Sequence, residues 1–163
     1  MFSTTNYLVP RFKTLAVPLL LNTLLLLSGC SSSPEPILYG TDGCAYCRMG
    51  IVDQRYGSEL VTSQGKLYKF DSIECLAGFV GGGTISTDDV GSLWVTCFDR
   101  PGELTAVSDA TIIRSAGILS PMGMNFSAFT SIETANTAVS EFSGAVHSWT
   151  SILATVKDEG FVQ

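Results

Sequence analysis

Cys44-Ala45-Tyr46-Cys47-Arg48-Met49 places two thiols and a thioether within six residues, at positions i, i+3 and i+5. A two-residue spacer lets a tight turn aim both thiolates at one point. The thioether reaches the same point if a strand begins at Met49. Thiolate and thioether sulfurs are soft donors that select Cu(I), while thiolates alone also suit Zn(II). Met49 therefore tilts the segment toward copper. Three alternatives stay open: a Cys44–Cys47 disulfide, a thiol redox pair, and a structural zinc site. Zinc wants four ligands, often from a second paired motif, yet Cys75 and Cys97 stand alone and His147 is the single histidine. A redox pair belongs at the N-terminus of a long helix, whose dipole lowers the thiol pKa, whereas a strand pattern follows Met49.

Apart from the initiator, the methionines are Met49, Met122 and Met124, all in short glycine-containing motifs. Methionine is ordinarily a gap-filler of cores, but Ser120-Pro121-Met122-Gly123-Met124-Asn125-Phe126 is polar on both sides. Read as an extended segment, it places Met122 and Met124 on one face, making them candidate ligands. Cys75, in the first turn of an apolar helix, reads as a buried small hydrophobe, and Cys97, alternating with Val95, as a core residue. Asp71 reads as a helix cap, and His147, beside Trp149, as structural first and a ligand second. With one histidine, no paired carboxylates and no phosphate-binding loop, the usual parts of an enzyme are missing. The expected protein is not an enzyme.

The elements that must position these residues are short. Residues 49–54, 58–63 and 66–71 alternate like the strands of an antiparallel meander, with Gln64-Gly65 as a turn. Asp71 and Glu74 then form a capping box for a helix stopped by Gly81–Gly83. After a loop at 84–91, a second unit is expected: strands at 92–98 and 110–116 around a turn at Asp99–Glu103, a helix over 131–144 capped by Ser131 or Thr134, and a last helix near 150–157. The fold class is α+β, with two small units of antiparallel strands each backed by a helix.

Residues 1–29 read as a secretory leader: Arg11 and Lys13 precede an apolar run over 15–27 too short to span a bilayer. It ends in Leu27-Ser28-Gly29-Cys30, which resembles a bacterial lipobox, so Cys30 is expected to carry lipid. Residues 30–43 are then the lipidated Cys and a flexible tether, about 20 Å in reach for the thirteen residues 31–43, and residues 44–163 the binding domain. Losing Arg11 and Lys13 leaves seven Lys/Arg against fifteen Asp/Glu, a formal charge of −8 on the mature chain. Nucleic acid and anionic lipid are poor partners for such a surface.

The lipobox, Cys44–Asp53, Gly65–Leu76 and Ser120–Phe129, in that order, resemble the NosL family of copper-binding lipoproteins over residues 30 to about 153. Family members typically have Gly between the second Cys and the Met, where this chain has Arg48. The resemblance implies a fold similar to the organomercurial lyase core and a Cu(I) chaperone facing the periplasm. It implies delivery to apo nitrous oxide reductase, with a membrane transport complex as a further partner. Carried over, Cys44, Cys47 and Met49 become copper ligands, Met122 or Met124 adds one from the second unit, and Cys30 anchors the chain to the bacterial envelope. A thiol-disulfide oxidoreductase using Cys44 and Cys47, or a scaffold lipoprotein, remain the other functions.

Overall fold

The computed structural model describes residues 1–3 and 33–160. Residues 4–29 of the leader, and with them the lipobox and Cys30, lie outside them. The first hairpin joins β1 (Ser58–Thr62) to β2 (Leu67–Phe70), pairing Ser58 with Phe70 and Val61 with Leu67. Its turn is the expected one, with Gly65 supplying a φ of +84°. Helix α1 (Ile73–Gly81) follows directly and stops in the glycine run.

After a short 3-10 turn come β3 (Val90–Cys97), β4 (Arg100–Ala106), β5 (Thr111–Arg114), β6 (Phe126–Phe129), α2 (Ile132–Phe142), β7 (Ala145–His147) and α3 (Trp149–Glu159). Seven strands make one sheet in the order β2-β1-β3-β6-β5-β7, with β4 paired to β3. The chain is α+β, as expected. Strand β3, expected to open the second unit, instead lies beside β1 in the first, pairing Leu60 with Leu93 and Ser58 with Val95. The two strand–helix units meet where β3 and β6 run parallel at Cys97 and Ala128.

Alternate residues of β5 show the layering: Ile112 joins one apolar cluster and Ile113 the other, as strand geometry requires. The larger cluster gathers Leu60, Phe70, Leu76, Val95, Phe126 and Ile152 beneath α1 and α3. The smaller one, with Tyr56, Phe129, Ala135 and Ala138, lies beneath α2. Burying a side chain such as Phe126 contributes about 1.5–3 kcal/mol, so the sheet is held from both faces.

Three expectations change. Residues 49–54 form no strand. Arg48 turns the chain at a φ of +68°, so residues 49–51 fold back on 40–44 through a single bridge, Gly43 to Gly50, with Ile51 N–H on Asp42 O at 2.9 Å, and an Asp53–Tyr56 turn, closed by Tyr56 N–H on Asp53 O at 3.2 Å, ends the pairing. Residues 35–43, expected to be tether, are docked. Ile37 is buried in the core, Glu35 N–H donates to Glu59 Oε1 at 2.9 Å, and Lys69 Nζ binds Pro36 O and Asp42 Oδ2. Strand β4 begins at Arg100, inside the expected turn, because the reversal needs only Phe98 and Asp99.

Candidate metal centre

Cys44–Met49 is a closed loop. Cys44 N–H donates to Met49 O at 2.7 Å and Arg48 N–H to Cys44 O at 3.1 Å, which folds both thiols to one side. The left-handed Arg48 makes this closure, at the position where glycine would be unstrained. Ala45 N–H donates to Lys69 O at 2.8 Å, fastening the loop to the end of β2.

That end of β2 runs into the start of α1. The helix cap is Ser72, not Asp71: Ser72 Oγ accepts from Cys75 N at 3.3 Å. The expected Asp71–Glu74 box is displaced by one residue, which frees the Asp71 carboxylate. Asp71 and Cys75, four residues apart across the helix start, face the loop. The donor atoms of Cys44, Cys47, Asp71 and Cys75 all lie within 4.8 Å of one another. Cys44 and Cys75 are 2% and 0% exposed, Asp71 is buried, and Cys47 is half-buried. Asp71 Oδ1 is buried with no hydrogen-bond partner.

The thiols differ in acidity. Cys44 is pulled down to about 6, chiefly because the Cys75 thiol donates to it; burial opposes this, and the N–H groups of Asp71, Cys47 and Tyr46 assist. Burial pushes Cys47 up to about 11, eased by the Met49 N–H. Cys75 is pushed far up, first by its bond to Cys44, then by burial and by Asp71. Cys44 is thus the most acidic of the three thiols, favoured as a thiolate by backbone donors and a neighbouring S–H. A thiophilic cation held here would displace the thiol protons of Cys47 and Cys75 and would be bound by the three sulfurs, with the backbone donors left in place.

Cys44 and Cys47 are brought together as expected. Met49 holds the loop with its backbone, while the residue is exposed, at 48%. Met122 and Met124 do not share a strand face. The segment is a turn with Gly123 and Asn125 at φ of +78° and +65°, leaving Met122 half-buried and Met124 buried. Both pack with the cluster that contains Cys44 and Cys75. His147 lies elsewhere: its Nδ1 is 2.9 Å from Ser151 Oγ and its ring meets Phe126 edge-on. Cys97 is a core residue, as expected. Cys75 is as buried as expected but is also a donor. Only its four-residue spacing from Asp71, across a helix start, signals this.

No protein-family model matches the sequence, and no curated protein is similar to it. Among solved structures, the chain aligns with the copper chaperone NosL from Shewanella denitrificans at a TM-score of 0.63. The chain has the fold of NosL. Sequence identity is 17%, over 72% of this chain and 92% of that one. At that identity the shared property is the NosL architecture.

Proposed function

We propose that the chain is a Cu(I) metallochaperone, not an enzyme, that carries its cargo on Cys44, Cys47 and Cys75. The observation that carries this is three sulfurs converging within 4.8 Å, with the Cys44 thiol pulled down to about 6 chiefly by its Cys75 neighbour. Soft sulfur donors at such spacing suit Cu(I). Likeness of fold to a copper chaperone supports the same cargo.

Transfer follows from unequal burial. Cys44 and Cys75 are enclosed, whereas Cys47 is half-buried beside the exposed Met49. An incoming donor replaces Cys47 first, and Met49, which has no proton to lose, holds the ion during exchange. Lipid attachment at Cys30 would keep this mouth near the membrane on the periplasmic side, within reach of apo nitrous oxide reductase and a membrane transport complex. Those partners rest on the sequence resemblance.

A second cargo is favoured by one observation: Asp71 supplies a fourth donor, and Cys3Asp is a four-ligand set that accepts Zn(II). Titrating the reduced protein with Cu(I) and, separately, Zn(II) against chromogenic chelators decides between them. Tight binding of one Cu(I), weakened at least about tenfold by Cys44→Ser and by Cys47→Ser, supports the proposal. Unchanged affinity in both variants, or a clear preference for Zn(II), contradicts it.

A further inference from the structure

The helix that presents Cys75 also holds the methionine loop. Glu74, immediately before Cys75, is 0% exposed, although a buried carboxylate is costly unless its oxygens are bonded. Its Oε1 accepts from Ser120 Oγ and from Phe126 N at 3.2 Å. One oxygen thereby fastens both ends of the segment that carries Met122 and Met124. The segment then closes on itself: Asn125 N–H donates to Ser120 Oγ at 2.8 Å, Ser120 N–H to Asn125 Oδ1 at 3.2 Å, and Gly123 N–H to Ser120 O at 3.1 Å. Asn125 keeps a left-handed backbone, which persists only where the surroundings over-determine it. Glu74 Oε2 is buried without a partner.

An acidic residue in the first turn of a helix is ordinarily exposed, where it meets the positive end of the dipole. Glu74 is turned inward instead, onto a loop more than forty residues away in sequence, next to a residue of the sulfur cluster. We propose that Glu74 is a positioning residue. Through Ser120 it sets the methionine loop relative to Cys75, so that a thioether of that loop closes over the metal held by the cysteines. The proposal rests on the Cu(I) reading above. Neighbouring residues in a helix are rigidly spaced, so Cys75 and the loop move as one body while the clamp is intact.

The test uses the full chain, reduced, in detergent and loaded with one equivalent of Cu(I). Release to a chromogenic chelator is followed by stopped flow, and the sulfur shell by copper X-ray absorption. At least one of Met122→Leu and Met124→Leu is expected to speed release roughly tenfold, and Ser120→Ala by a similar factor. The two changes combined add little more, because they break one arrangement. Ser120→Ala also removes the same thioether from the copper shell as the methionine variant does. Glu74→Gln, which keeps the accepting oxygen, restores slow release, whereas Glu74→Ala behaves like Ser120→Ala. If Ser120 were merely structural, its loss would lower the melting temperature and leave release and the sulfur shell unchanged. That result overturns the proposal, as does slow release in both methionine variants or full additivity with Ser120→Ala. A wild-type chain that binds no Cu(I) instead refutes the function proposed above.

Discussion

Replacing Cys75 separates its two roles, as a sulfur ligand and as the donor that keeps Cys44 ionised. In the folded protein Cys44 is pulled down to about 6, with the Cys75 thiol as the leading cause. At about pH 7 such a group is roughly nine-tenths thiolate, whereas a thiol of ordinary pKa, near 9.0, is ionised at roughly one part in a hundred. Metal must displace that proton, so losing the donor lowers apparent affinity by up to about a hundredfold. The N–H groups of Asp71, Cys47 and Tyr46 remain, which places the expected loss between about tenfold and that limit. Cys75→Ser keeps an O–H donor and removes the sulfur; Cys75→Ala removes both. Thiolate absorbance in the ultraviolet, with Cu(I) competition at about pH 7 and about pH 9.5, reads both effects. Ala is expected to bind more weakly than Ser near neutrality, and the gap is expected to close at the higher pH, where Cys44 is ionised in either variant. Equal affinities for the two variants near neutrality, or a gap that persists at high pH, refute the reasoning.

Arg48→Gly relieves the left-handed backbone at φ +68°. After the glycine's extra unfolded-state entropy it is expected to stabilise the fold by up to about 1 kcal/mol, read as a raised denaturation midpoint. The pKa of Cys44 is lower folded than unfolded, so its contribution is fully present above about pH 9, the unfolded value, and is lost as pH falls through about 6. The stability difference between wild type and Cys44→Ser, measured by calorimetry without metal, should therefore grow with pH across that window. A difference that stays flat contradicts the assigned shift. Ser72→Ala removes the cap that accepts from Cys75 N; the expected cost is about 1 kcal/mol, with weaker metal binding because Cys75 loses its fixed position. Retained stability and affinity would show that the cap does not organise the cluster.

Local chemistry in the sequence is enough to find half of the cluster. Cys44 and Cys47 share one turn, so their convergence is written in their spacing. Helix ends at Gly81–Gly83 and Ser131 follow from single-residue signals that tertiary packing did not override. Asp71 and Cys75 are less legible because their spacing also fits an ordinary helix start, and only the docking of the 44–49 loop on Lys69 O gives them something to face. The missing strand at 49–54 has a similar origin: alternation is present, but the left-handed Arg48 folds the segment back on 40–44 for a single bridge and the Asp53 turn ends the pairing. Strand β7 is three residues long and its first two are exposed, so no apolar pattern marks it. The placement of β3 beside β1 depends on long-range pairing, which periodicity does not encode.

Under the proposed function the three converging sulfurs hold copper. A crystal of the reduced protein loaded with Cu(I), with anomalous differences collected on both sides of the copper absorption edge, tests it directly. One strong copper peak enclosed by Cys44, Cys47 and Cys75 is expected. A peak at His147, or a copper site that leaves these sulfurs unliganded, would contradict it.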